Sequence, residues 1–411
     1  MTPPSGRAAG AAPAVRPLTV LLGLLALAVN LRAALAGYPP LLETAREDLA
    51  LSAGAAGLVQ SGAVLMMAVG SFAGSAVGLR FGRETALGVA VGLVALGSLV
   101  RGVPALGALV AGSLVLGLGV GLAGVLLAGV VKEHLPDRAG AVTGGYTVSM
   151  MIGATTAGAV AVPLAVVLGG WSFSLAVWAA PAALALGLWV PVARRAGRPA
   201  PGSARPAPAA PWRSSFARRV TVYQLGTSSM FYGGLTWLAP YYEGLGWSPQ
   251  GAGLLIAVWS LAQIPSALVV PVLAERSRRW RFWSGITLAC ALVGAVGVLA
   301  WPQPPLVGPW GWIALMGFGL GAGFPLGLSV IAWRTADGAA SAATSGLALG
   351  TGYVCAGLVP LLMGVLIDLT AGFAAALAVL LVAGAVQGAG IIAIGDRPPP
   401  VENDGAGSPS H

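Results

Sequence analysis

The chain has 411 residues, of which 57% are hydrophobic and only 9% charged, with 62 glycines and a mean hydropathy of +0.85. Water-soluble domains carry about 25% charged residues, so this composition excludes a soluble globular enzyme and points to helices that cross a bilayer. The excess of 22 Lys and Arg over 13 Asp and Glu calls for no nucleic-acid partner, because basic residues collect in the loops on one side of a membrane.

Residues 1–16 are expected to be disordered. Arg16, the apolar run after it and the Ala-Leu-Ala at 34–36 have the outline of a cleavable leader. The run is long enough to span, however, and Arg32 interrupts it just before the would-be cleavage site, so it reads as a membrane helix. Further apolar segments follow at 54–78, 85–100, 104–131, 138–167 and 172–192, then at 217–242, 249–273, 281–301, 308–333, 338–367 and 372–395. Twelve transmembrane helices therefore form an all-α membrane protein of two pseudo-symmetric six-helix bundles, at 17–192 and 217–395. A Pro-, Ala- and Arg-rich cytoplasmic linker, 193–216, joins them, and a disordered tail, 396–411, ends the chain. Arg46 and Arg101 fall in loops on one side, Arg32 inside a helix, and the other Lys and Arg on the opposite side. That basic side is the cytoplasm, so both termini are expected there, in a cytoplasmic (inner) membrane.

The halves read as copies. Ser52 and Ser248 each stand ready to cap the next helix, and the glycine run 116–121 (LGLGVG) is matched by 316–321 (MGFGLG). Repeats that land on the second and fourth helix of each set indicate duplication of a six-helix unit. Gly70, Gly74, Gly78 and Gly82, like Gly319, Gly323 and Gly327, recur every fourth position, the spacing that lets helix backbones approach closely. The string GVGLAG at 119–124 satisfies a dinucleotide-binding pattern but lies within a helix with no strand before it, so no nucleotide cofactor is expected. Hydrolase, metalloprotease and phosphate-loop motifs are absent, and Cys290 and Cys355 sit in apolar segments. No enzyme activity, cofactor or metal site is expected.

The loops GLRFGRE at 78–84 and LAERSRRW at 273–280 resemble the signature loop of the major facilitator superfamily. In that family an acid and arginines latch neighbouring cytoplasmic helix ends. Glu275 and Arg276 match the pattern; in the first copy Arg80, Gly82 and Arg83 carry over while Leu79 replaces the acid. Four longer stretches cover most of the chain: NLRAALAGYPPLL at 30–42, VVKEHLPDRAGAVTGGYTVSMMIGA at 130–154, MFYGGLTWLAPYYEGLGWSPQGAGLL at 230–255, and GFPLGLSVIAWRTADGAASAATSGLALGTGY at 323–353. They resemble the cyanate and 2-nitroimidazole transporter (CynX/NimT) branch of that superfamily. The resemblance implies a monomeric secondary transporter that works by alternating access, with a path lined chiefly by helices one, four, seven and ten, and protons as a possible co-substrate. An exporter of drugs or metabolites is the alternative within transport, and a ligand sensor without transport is the alternative outside it.

Arg32 lies about fifteen residues into its helix, or ~22 Å at 1.5 Å per residue, a little beyond the bilayer midplane. A charge at that depth costs several kcal/mol and asks for a partner or a purpose. Its planar guanidinium suits a small anion or a flat polar ligand. Asn30, two residues away, points about 200° from it, so both face one cavity only if the helix is distorted; it can instead tie the helix to a neighbour. Tyr146, Phe231, Tyr232, Trp237, Phe324 and Tyr353 are the candidate aromatic and hydroxyl partners. Because an inside-negative potential opposes anion entry by about 2.3 kcal/mol per 100 mV, concentrative uptake needs a compensating cation. The orientation is checked by single cysteines: Ser203→Cys in the linker should react with a membrane-impermeant thiol reagent only after cells are opened, and Ala45→Cys should react from outside.

Overall fold

The computed structural model describes residues 17–135, 139–195, 211–306, 308–335 and 338–396. The expected disordered ends, 1–16 and all but the first residue of 396–411, lie outside the described residues, as does most of the linker. The described chain is helical throughout. The first half comprises α1 (Pro17–Ala36), a 3-10 turn at Pro39–Leu41, α2 (Leu42–Asp48), α3 (Ala53–Phe81), α4 (Arg83–Val100), α5 (Leu106–His134), α6 (Ala139–Leu168), α7 (Trp171–Ala176) and α8 (Ala179–Arg195). The second half comprises α9 (Ser215–Gly244), α10 (Pro249–Ser277), α11 (Trp280–Ala300), α12 (Trp310–Gly321), α13 (Gly323–Arg334), α14 (Gly338–Thr370) and α15 (Ala374–Ile394).

Among the described residues eleven segments are long and apolar enough to cross a membrane, counting α1 with α2, α7 with α8 and α12 with α13 as single spans. The remaining one of the twelve expected, α9, has 30 residues, ample for a bilayer. It falls short only in apolarity, because it carries Gln224, Thr227, Ser228 and Ser229, all of them buried. Two spans read as continuous are broken. Pro325 lacks an N–H, and its ring crowds the carbonyl four residues back, so the tenth span divides at Ala322 into α12 and α13. Pro181 stands just inside α8, after the break from α7.

The duplicated glycines have one geometric meaning. A Cβ at Gly117 or Gly121 would collide with the carbonyls of Ala63 and Met67 on α3, and one at Gly119 with the carbonyl of Ala90 on α4. In the second half Gly317 and Gly321 meet the carbonyls of Trp259 and Gln263 on α10 in the same way, and Gly319 meets Thr287 on α11. The fourth and tenth spans are thus wedged between their neighbours with backbone on backbone, which only glycine allows. Both caps are also formed: Ser52 accepts from the Ala55 N–H and Ser248 from the Gly251 N–H.

The halves meet along α3 with α14 and α6 with α10. At the acidic end of the bundle, which carries Glu43, Glu47 and Glu243, the α3–α14 seam is tied by main-chain donors. Asp368 on α14 accepts from the N–H groups of Ala53 and Gly54, at 2.9 and 2.7 Å, at the start of α3, where an anion is favoured. One turn or two deeper, Pro360 stands inside α14 and the Leu361 N–H donates to Ser61 at 2.9 Å. Asp368→Ala is therefore expected to loosen this end. In a chain with Cys290 and Cys355 replaced by Ala, Ala154→Cys should then react faster with an impermeant thiol reagent added from the acidic side.

Candidate functional site

A narrow cavity of about 10 Å³ lies between the halves. Arg32, Leu35 and Ala36 of α1 and Met151 and Ala154 of α6 form one wall; Phe231, Tyr232 and Leu235 of α9 and Trp259, Ser260 and Gln263 of α10 form the other. It is lined by the first, fifth, seventh and eighth spans. The expected fourth and tenth spans stay behind the wall because their glycines hold them against α3, α4, α10 and α11.

The Arg32 guanidinium carbon sits 4.5 Å above the Phe231 ring centre. Phe231 packs on Trp259 with ring centres 4.9 Å apart, and Tyr232 stands edge-on to Phe231 at 5.1 Å. Arg32 has no hydrogen bond or ion pair among the described residues; its guanidinium lies over the face of Phe231. A guanidinium has five N–H donors and no means of losing its charge at neutral pH, so these donors stay available to a ligand. Ser260 and Gln263 lie three apart and share a helix face. The Ser260 hydroxyl is buried without a hydrogen-bond partner among the described residues, and Gln263 donates to the Trp259 carbonyl at 3.2 Å. The cavity thus combines one cation, an aromatic slab and two neutral hydrogen-bonding side chains.

Of the residues expected at the site, Arg32, Phe231 and Tyr232 line the cavity, and Tyr353 stands one ring behind, edge-on to Tyr232 at 6.1 Å. The Tyr232 hydroxyl points across the halves to the Met67 sulfur at 3.7 Å. Asn30, Tyr146, Trp237 and Phe324 are not among the lining residues. Asn30 donates instead to the Ala26 and Pro181 carbonyls, at 2.8 and 3.3 Å, tying α1 to α8 as the helical angle between positions 30 and 32 allows. Trp237 is fully buried and donates to the Pro360 carbonyl at 2.9 Å. Tyr146 packs on the edge of the core, and Phe324 is half-buried just after the α12–α13 break.

At the basic end the latch differs from expectation. Arg83 pairs with Glu133 of α5 at 3.0 Å, and Glu84 with His134 at 2.7 Å, so the acids come from outside the loop position that Leu79 fills. Gly82 turns the chain at a φ of 86°, and Arg80 stacks on its own neighbour Phe81. Glu275 and Arg276 form no ion pair among the described residues.

Sequence reasoning missed Trp259, Ser260 and Gln263, whose signal was the Ser-x-x-Gln spacing within an apolar span. It placed Arg101 in a loop, where the structure also has it, just past the end of α4, but did not foresee its burial. Arg101 is 3% exposed, donates to the Ala34 carbonyl at 2.9 Å and lies over the Tyr38 ring. It thereby closes the end of α1 one turn beyond Arg32.

A bundle of membrane-length helices with a charged, aromatic cavity between its halves defines a carrier of small solutes. The family model for the Major Facilitator Superfamily matches residues 20–345, and the chain belongs to that superfamily. An uncharacterized transporter of Bacillus subtilis (strain 168), YycB, is 31% identical over 90% of this chain and 92% of its own. The 2-nitroimidazole transporter of Escherichia coli (strain K12) is 31% identical over 85% and 88%, and the cyanate transport protein CynX of the same organism 28% identical over 86% and 91%. Among solved structures, a bacterial homologue of the human drug peptide transporters PepT1 and PepT2 superposes with a TM-score of 0.71 at 16% identity, covering 92% of this chain and 98% of that one. The protein is a multi-pass membrane transporter.

Removing the Arg101 guanidinium leaves the Ala34 carbonyl buried and unpaired, so Arg101→Ala should destabilise the purified protein by about 1–3 kcal/mol, the cost of one such group. Thermal unfolding in detergent measures it.

Proposed function

We propose that the chain is a secondary transporter of a small anion or a small, flat, polar compound, with Arg32 holding the ligand's negative or electron-rich edge. The single observation that carries this reading is the pairing state of Arg32: a guanidinium set at depth between the halves, stacked on Phe231 and with no acceptor among the described residues. A charge that served only the fold would be satisfied by carbonyls or carboxylates, as Arg101 is by Ala34. The relatives named for 2-nitroimidazole and cyanate transport support the same ligand size and shape, a flat ring or a short linear anion lying between guanidinium and aromatic faces. Ser260 and Gln263 read the ligand's other end by hydrogen bonds. The two halves rock about this site to expose it to each membrane face in turn, with the basic end in the cytoplasm and the protein acting as a monomer.

The test is binding of 2-nitroimidazole, cyanate and small carboxylates to purified protein, followed by uptake into proteoliposomes. Arg32→Ala should lose about 1.5–3 kcal/mol for each charge-assisted hydrogen bond removed, while thermal unfolding stays near that of the parent. Arg32→Lys should fail as well, because an ammonium lacks the planar fork. Unchanged binding and uptake in Arg32→Ala would assign the residue to the fold alone.

A further inference from the structure

At the basic end of the bundle the two copies of one loop have diverged. Positions 79–85, between α3 and α4, read LRFGRET, and the same positions of the second half, 275–281, read ERSRRWR. The fourth span ends in Glu133-His134 and the tenth in Trp333-Arg334. In the first half charge is settled internally: Arg83 pairs with Glu133, Glu84 with His134, and Arg80 lies over Phe81. In the second half Trp280 and Trp333 stand where those two acids would be. Trp280 donates to the Leu326 carbonyl of α13, and Arg334 turns to the Ile394 and Gly395 carbonyls at the end of α15. Arg276, Arg278, Arg279 and Arg281 are left exposed, and none has a side-chain hydrogen bond, ion pair or aromatic face among the described residues. Glu275 is exposed and equally unpaired, and Asp396 accepts from the Arg281 main-chain N–H at 2.8 Å.

Arginines at a membrane face fix orientation wherever they stand, but two features of this loop ask for more. Arg278 has a φ of 54°, in the left-handed region, at the position where the first half has Gly82 at 86°. A helix end of this kind is ordinarily glycine, because a side chain is strained there. Orientation would be served as well by an arginine one residue along, so the strain is tied to the place this guanidinium occupies. The loop is also held in shape: Trp283 donates to the Ser277 hydroxyl at 2.9 Å, and that hydroxyl donates to the Leu273 carbonyl at 2.6 Å. On the membrane side of it α10 and α11 expose Val269, Val272, Phe282 and Ile286. An apolar surface that leads up to four unneutralised guanidiniums matches an amphiphile with acyl chains and an anionic head.

We propose that Arg276, Arg278, Arg279 and Arg281 bind the headgroup phosphate of an anionic phospholipid, whose acyl chains lie along α10 and α11. A guanidinium fork suits phosphate oxygens, and basic clusters at the end of membrane helices draw anionic lipid from the adjoining leaflet. A zwitterionic lipid carries its own cation beside the phosphate and gains less. The lipid ties the end of α10 to the start of α11. Because α10 also carries Trp259, Ser260 and Gln263, one wall of the cavity is then anchored at the membrane surface.

The experiment needs no transported ligand. The purified full chain in detergent is titrated with dioleoyl phosphatidylglycerol at constant ionic strength, with dioleoyl phosphatidylcholine and inorganic phosphate as separate arms. Thermal unfolding is followed, and native mass spectrometry counts the lipids retained. Phosphatidylglycerol should raise the melting temperature saturably, by about 3 °C or more at saturation, and stay bound in the spectrum. Phosphatidylcholine and inorganic phosphate should do neither. Arg278→Gly is the decisive variant. Without lipid it should melt no lower than the parent, because glycine relieves the left-handed turn, while its apparent affinity for phosphatidylglycerol falls about tenfold, the loss of one charge-assisted contact. Arg279→Gln combined with Arg281→Gln should lose as much or more. Arg80→Gln, in the first-half loop, should keep the parent's affinity. Equal responses to the two lipids, or the same response to inorganic phosphate, would overturn the proposal. Undiminished affinity in Arg278→Gly would overturn it too, as would an equal loss in Arg80→Gln, which would spread the effect over the whole basic face.

Discussion

Contact of helix backbones through glycine is the constraint on which the rest of this structure depends. Lipid offers no hydrophobic force to press one apolar helix against another, so association relies on close packing. Gly117, Gly119 and Gly121 bring α5 onto α3 and α4, and Gly317, Gly319 and Gly321 bring α12 onto α10 and α11. The outer glycines of each run meet the carbonyls of Met67 and Gln263, among others. Met67 accepts the Tyr232 hydroxyl and Gln263 lines the cavity. The packing that builds each half therefore also fixes the walls of the cavity between them.

Against that rigid scaffold Arg32 is costly and Arg101 shows how the cost can be met. Arg101 reaches the free carbonyl at the end of α1 and stacks on Tyr38. Arg32, four residues before the end of the same helix, lies over the face of Phe231 and has no hydrogen bond or ion pair among the described residues. A ring quadrupole offsets part of the desolvation of a guanidinium but uses none of its N–H donors. The two arginines divide the work, one holding the helix and the other held ready by it.

Much of this was legible from residues alone. Ser52 and Ser248 were readable as caps because capping is local, and the matched glycine runs because duplication leaves an offset. Arg32 stood out because a charge in oil needs no alignment to be noticed. Ser260 and Gln263 were less visible, since each is an ordinary polar residue in a long apolar span and only their common face links them. Arg101 was read rightly as a loop residue, but its burial was not legible. Its burial is made by Tyr38 and by Gly112, whose missing side chain leaves room for the arginine stem, and neither lies near it in the chain. That α5 and α12 are withdrawn from the cavity was not legible, because the glycine wedges that hold them act between segments far apart in sequence.

The polarity of α9 bears on how the protein is made. Each of the other spans has a stretch apolar enough to partition into lipid as it leaves the ribosome, whereas α9 brings Gln224, Thr227, Ser228 and Ser229 and starts with Arg218 and Arg219. Such a helix is poorly retained by a bilayer until neighbours cover its polar groups. Those neighbours, α10, α13, α14 and α15, are all synthesised after it. Biogenesis of the second half is then a matter of holding the seventh helix at the translocation channel until the last span arrives, and truncations that remove α15 should leave it stranded for degradation.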